Sequence, residues 1–161
     1  MAIREEFELA ASPRDIQDAL LMSDVWSRYA DATGAEAHDF ALTTKSPPTT
    51  VFHRTMSTRP LPFLVRRLLP GSLDITESVV WRPPSADGVH TGDVSVDINT
   101  PEVTFRGELA VQPVHAGSRL IIEGPSPTTS LPIGPFRGQL DDMVTTAFRK
   151  LVGVVREQLA G

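Results

Sequence analysis

The chain has 161 residues, no cysteine, and fifteen basic against twenty acidic side chains, a formal net charge of −5. That length buries a core without staples and predicts one domain over residues 1–161. The missing cysteines exclude disulfides, thiolate metal sites and a cysteine nucleophile, and the acidic balance argues against a sequence-independent grip on nucleic acid.

The opening Met1 to Glu6 carries acid where a secretory signal needs a basic start and an apolar run. No later stretch approaches the roughly 18 uninterrupted apolar residues of a membrane span, so a cytoplasmic protein is expected. Phe7 and Leu9 alternate with Arg4, Glu6 and Glu8, the period of a half-buried first strand. Ser12-Pro13 then supplies a cap and a first-turn proline for a short helix burying Ile16, Ala19 and Leu20. Ser23-Asp24 starts a second helix with Val25, Trp26 and Tyr29 on one face and Gly34 as its stop.

Alternation over 35–44 and 49–58 around Ser46-Pro47-Pro48 predicts a hairpin of strands two and three. Between Pro60 and Gly71 a proline-bracketed two-turn helix is expected, with Leu64, Val65, Leu68 and Leu69 on one side and Arg66 and Arg67 on the other. Leu73 to Trp81 and Val94 to Ile98 alternate through strands four and five around a reversal at Asp87-Gly88. Turns at Thr100-Pro101 and His115-Ala116-Gly117 bound strand six, and Leu120 and Ile122 belong to strand seven. Beyond the proline-rich 125–135, apolar residues from Phe136 to Leu159 recur every three or four positions, a long amphipathic helix. The order is therefore strand, two helices, six strands, helix. The expected class is α+β, a curved seven-stranded antiparallel sheet around the C-terminal helix, with a small extra helix between strands three and four.

This order resembles the helix-grip proteins of the START-like and birch-allergen superfamily, also called SRPBCC or polyketide cyclase-like proteins. Within that group the chain resembles an actinobacterial family of unknown function, through the stretch Leu61 to Gly71, the strand Thr76 to Trp81, and Ser130-Leu131-Pro132-Ile133-Gly134. The resemblance implies a pocket between sheet and long helix that in relatives holds lipids, sterols, polyketides or plant hormones.

No GxGxxG, Walker, HExxH or GxSxG pattern occurs, and His38, His53, His90 and His115 lack the spacing of a helical zinc site. No metal, cofactor or catalytic residue is assigned. Strand parity is more informative, because a titratable side chain on an apolar face must be paired, neutralised or at work. His38 shares its face with Phe40 and Leu42, Arg54 with Phe52 and Met56, and Glu77 lies between Ile75 and Val79. These give a pocket wall of His38, Phe40, Phe52, Arg54, Ile75 and Glu77, with Val79, Trp81 and Phe105 from the later strands and Met143 and Phe148 from the helix. Simpler roles weigh more for several of them: Glu77 pairing with Arg54, His38 facing water, and the aromatics serving as core.

Binding or carrying a hydrophobic small molecule is the first expected function. A cyclase-, aromatase- or hydrolase-like enzyme using the same cavity is the alternative, and a protein-interaction module docking through the 60–71 helix is the third. That helix is read as a lid or a packing element, with membrane contact at most transient, and a homodimer is compatible with the sequence.

Overall fold

The computed structural model describes residues 2–43, 48–99, 102–130 and 137–161. The expected turns at Ser46-Pro47 and Thr100-Pro101, together with Phe136 and the side chain of Val65, lie outside the described residues. Strands β1 (Ala2–Leu9), β2 (Ala37–Thr43), β3 (Thr49–Ser57), β4 (Ser72–Trp81), β5 (His90–Ile98), β6 (Val103–Val114) and β7 (Gly117–Pro125) form one antiparallel sheet. Their spatial order is β1-β7-β6-β5-β4-β3-β2, and a two-residue β8 (Thr128–Thr129) adds to β6 off that path. Helices α1 (Pro13–Leu20) and α2 (Ser23–Thr33) carry the chain from one edge of the sheet to the other. A single turn, α3 (Phe63–Arg66), joins β3 to β4, and α4 (Arg137–Ala160) closes the fold.

Local chemistry explains the helix boundaries. Ser12 accepts a hydrogen bond from the Asp15 amide at 3.1 Å and Pro13 occupies the first helical position, so α1 starts where its backbone donors are satisfied. Gly34 ends α2 at φ 74°, a left-handed conformation that costs glycine nothing. The start of α2 falls one residue earlier than the Ser23 cap expected from sequence: Met22 is the flanking residue and gives no side-chain cap. The indole of Trp26 compensates by donating to the carbonyl of Leu20 at 2.8 Å, which locks the corner between the two helices. The 60–71 segment also differs from expectation. It forms only four helical residues, because Pro60, Pro62 and Pro70 bracket too short a run to add a second turn.

The described part of α4 is 24 residues long, about 36 Å at the standard rise. Its C-terminal half is seated, with Phe148, Leu151, Val152, Val154 and Val155 buried against α1, α2 and β1. Its N-terminal half is only partly buried. There Leu140 and Met143 reach a second, smaller apolar cluster built on Leu73, Ile75, Ile98 and Val103 at the other end of the sheet. The helix thus bridges two cores, and the space between them stays open.

Gly107 and Gly124 fix the sheet under this bridge. A Cβ at Gly107 would stand 2.6 Å from the carbonyl oxygen of Glu123, and one at Gly124 would stand 2.6 Å from that of Arg106. Glycine at both sites lets the backbones close up beneath the Phe105 ring, whose centroid meets that of Phe148 at 5.6 Å. The opposite face of the sheet is a lattice of exposed ion pairs, Arg4 with Glu6 and Glu123, Arg82 with Asp93 and Glu108, and Arg119 with Glu8. Each contributes at most about 1 kcal/mol, so the inner face carries the stability.

Candidate functional site

The open space between the two cores is a cavity of about 310 Å³. Its floor is Arg54 and Met56 from β3, Ile75 and Glu77 from β4, and Val96 and Ile98 from β5. Met143, Ala147 and Phe148 of α4 form the roof. Leu61 and Pro62, just before α3, stand at one lip, and Gln139, Asp142 and Lys150 of α4 at the other. The wall is mainly apolar, and away from the polar α4 lip its charged groups meet in one place, at Arg54 and Glu77.

That place is set by strand register. Phe52 pairs with Glu77 and Arg54 with Ile75, so Arg54 and Glu77 are diagonal neighbours on the inner face, a spacing long side chains bridge easily. Arg54 Nε donates to Glu77 Oε1 at 2.5 Å, and the hydroxyl of Tyr29, arriving from α2, donates to Glu77 Oε2 at 2.5 Å. The guanidinium carbon of Arg54 lies 5.2 Å from the Tyr29 ring centroid, a cation–π contact. Arg54 and Glu77 are 4% and 5% exposed and Tyr29 is fully buried. Both carboxylate oxygens are therefore engaged, whereas the hydrogen-bond partner of Arg54 Nη1 among the described residues is the thioether of Met56, a weak acceptor, with the Tyr29 hydroxyl also close to the guanidinium. The arginine lines the cavity with donor capacity in hand.

Electrostatics follow from this packing. Burial, then the neighbouring Glu77 carboxylate, hold the Tyr29 phenol well above its ordinary value of 10.0, against an opposing pull from Arg54. Burial works against the Arg54 cation, but the charge and hydrogen bond of Glu77 outweigh it and leave Arg54 above its usual value. A raised phenol pKa stabilises the fold fully below the unfolded value near 10 and is lost as pH climbs beyond it. Tyr29 is the chain's one tyrosine, so phenolate absorbance reports this site alone. The native protein is expected to show no phenolate band through pH 10.0, the band appearing only as the fold opens. In Glu77→Gln the onset moves to lower pH. A band rising at the ordinary value with tryptophan fluorescence unchanged would place Tyr29 in water instead.

Of the residues expected at the pocket, Arg54, Ile75, Glu77, Met143 and Phe148 line the cavity. Phe52 and Phe40 pack instead with Trp26 behind the triad, at centroid distances of 5.2 and 6.3 Å. Val79 and Trp81 are buried further along β4 in the larger core, and Phe105 lies behind Phe148. His38 pairs with Arg54 across β2 and β3, so its parity is inward as expected. It is nevertheless exposed, on the edge strand β2 beside α2, and its Nε2 sits 3.3 Å from the Ser27 hydroxyl of that helix. Tyr29 is the partner that sequence reasoning assigned to the core alone. A tyrosine at the apolar stripe of α2 carried a signal, since a buried phenol needs an acceptor.

A second, much smaller chamber of about 30 Å³ lies deeper in the core among Leu9, Leu20, Leu120 and Val152. Glu77, Val96 and Phe148 belong to both chambers and form the partition between them. Among the described residues no group of three or more His, Asp or Glu side chains is placed to hold a metal ion, and no helix is long and apolar enough to cross a membrane.

The sequence matches, over residues 5–157, the family described as protein of unknown function DUF2505. The chain belongs to the DUF2505 family. The fold of this DUF2505 protein is similar to a STAR-related lipid transfer protein from Xanthomonas axonopodis, at 15% identity and TM-score 0.65, over 99% of this chain and 86% of that one. It is also similar to the Zhui aromatase/cyclase from Streptomyces sp. R1128, at 14% identity and TM-score 0.55, over 98% and 89% of the two chains. A third likeness is to Ara h 8.0201, at 10% identity and TM-score 0.58, over 100% and 99%. These identities establish the fold alone: DUF2505 here has the START-like, helix-grip architecture that the order of elements led us to expect. No curated protein matches the chain in sequence.

Proposed function

We propose that this DUF2505 protein binds a mainly apolar small molecule with a hydrogen-bond-accepting end, a carbonyl or carboxylate, held against Arg54. One observation carries the reading: in a mainly apolar cavity of about 310 Å³, an arginine fixed by Glu77 through Nε presents a terminal nitrogen whose partner among the described residues is the weak Met56 acceptor. The volume is at the lower end of the roughly 300–1,000 Å³ usual for small-molecule pockets. Affinity would come from apolar burial and orientation from Arg54. Similarity to a protein whose name includes lipid transfer and to an aromatase/cyclase supports an apolar guest of this kind.

The same geometry favours binding over turnover. Glu77, the carboxylate that strand parity offers as a general base, is held by Tyr29 and Arg54 with one bond on each oxygen, the arrangement of a group that fixes the arginine in place.

Native mass spectrometry of the purified protein, followed by extraction, tests for a retained guest. Titration with medium-chain carboxylate, methyl-ketone and alkane probes then tests Arg54. Acceptor-bearing probes are expected to bind at least about tenfold tighter than the alkane, the effect of a hydrogen bond to a charged group. The double variant Arg54→Met, Glu77→Leu, which leaves no charge unpaired, is expected to erase that difference. Equal binding of all three probes to the unaltered protein would sink the role given to Arg54, and binding of none would sink the cavity reading itself.

A further inference from the structure

Five large apolar side chains stand exposed among the described residues, and the two most exposed are neighbours on α3, Phe63 at 64% and Leu64 at 57%. The sequence anticipated an apolar face there that could seal the sheet. Instead Leu68 and Leu69 turn partly inward while Phe63 and Leu64 face water. Exposed apolar groups side by side on so short an element call for an occupant.

Charge says which one. From Thr58 to Leu73 the chain has three arginines, Arg59, Arg66 and Arg67, and no acidic residue. Taking those three from the fifteen basic residues leaves twelve against twenty acids, so a locally positive corner sits on an acidic protein. Arginines on the outer face of the sheet are paired with carboxylates, whereas Arg59, Arg66 and Arg67 have no ion pair among the described residues. They gather around the exposed ring: the guanidinium carbons of Arg66 and Arg67 lie 5.8 and 5.9 Å from the Phe63 centroid, and Arg66 Nη1 donates to the Arg59 carbonyl at 3.3 Å. Leu61 and Pro62, immediately before the helix, line the cavity, so the patch is at its mouth.

We infer that the α3 corner is a peripheral docking surface for anionic lipid, with Arg59, Arg66 and Arg67 on headgroup phosphates and Phe63 and Leu64 in the acyl boundary. A stable protein partner would have to match the shape of this corner over about 800 Å² on each side. A bilayer needs no shape complementarity and rewards this mixture of basic and apolar groups. Docking would be reversible and would set the cavity mouth against the lipid phase. The inference gains its purpose from the cavity reading, but its test uses the protein with no cavity probe present, so the two fail separately.

The test is co-sedimentation of the full chain with phosphatidylcholine vesicles, with and without a substantial fraction of phosphatidylglycerol, at low salt and at about 0.5 M salt, where charges are screened within a few ångströms. Binding is expected only with phosphatidylglycerol and to be lost at high salt. The double variant Arg66→Gln, Arg67→Gln should weaken it roughly 30-fold, about fivefold per arginine, and Phe63→Ser, Leu64→Ser should weaken it independently. All four positions are exposed, and the variants are expected to remain folded, which circular dichroism checks. Absence of vesicle binding, equal binding to neutral vesicles, or binding untouched by the arginine variant overturns the inference. So does self-association in sedimentation that disappears in the same variants without vesicle binding, which would make a second copy the occupant.

Discussion

Glu77→Ala is expected to destabilise the protein by about 3–5 kcal/mol in urea unfolding, the cost of leaving one partner of a buried ion pair uncompensated. Arg54 is 4% exposed, and without Glu77 its Nε loses its acceptor and its charge stays behind in an apolar wall. The Tyr29 hydroxyl loses its acceptor in the same step, which adds the desolvation cost of a buried, unpaired donor. Replacing both charges, as in Arg54→Met, Glu77→Leu, should recover the part due to the unpaired charge, because well-packed apolar residues substitute for a buried pair at little cost, and leave the cost of the unpaired Tyr29 hydroxyl. A loss below about 1 kcal/mol for Glu77→Ala would mean that the pair is solvated, the range of exposed ion pairs.

The triad also shows how far the sequence can be read. Strand parity isolates Arg54 and Glu77, because a period of two leaves no doubt about which face a residue of β3 or β4 shares with its neighbours. Parity says nothing about distance from an edge, and so His38 is placed on the correct face but exposed on the edge strand β2. Tyr29 is legible as a buried residue of α2, but its bond to Glu77 depends on how α2 packs across the sheet, which no local pattern encodes. The aromatic residues Phe52, Trp81 and Phe105 fit the wall by parity, but aromatics serve more often as core, and packing places all three there. Length sets the remaining limits: α3 is legible as a helix but is shorter than the two turns expected, and β8, two threonines inside a proline-rich run, leaves no pattern to read.

Phe148→Ala carries the second large effect, this time in opposite directions for stability and binding. The ring is 4% exposed and packs on Phe105, so its removal should cost about 3–5 kcal/mol in the unliganded protein. The same deletion removes the partition between the cavity of about 310 Å³ and the chamber of about 30 Å³. Longer alkyl probes are therefore expected to bind the variant better than the unaltered protein, and to raise its melting temperature by more, through preferential binding to the folded state. The measurement is a chain-length series followed by calorimetry and thermal unfolding. An unchanged length preference would show that the inner chamber is not reached past Phe148.

The clasp between the first strand and the last elements has a consequence for how the molecule comes into being. Arg4 meets Glu123 across 119 residues of chain, Arg149 meets Glu5 across 144, and Arg156 meets the carbonyl of Glu8 across 148. From β3 to β7, by contrast, each strand pairs with its immediate successor, so that part of the sheet can zip through short loops. Loop-closure entropy makes such distant pairings slow, which places their formation in the millisecond-to-second regime of non-local β topologies. On a ribosome β1 has no strand partner until β7 is made, and the cavity has no roof until the 24 residues of α4 follow. If the cavity takes a guest as proposed, that guest can be enclosed only after α4 has been made.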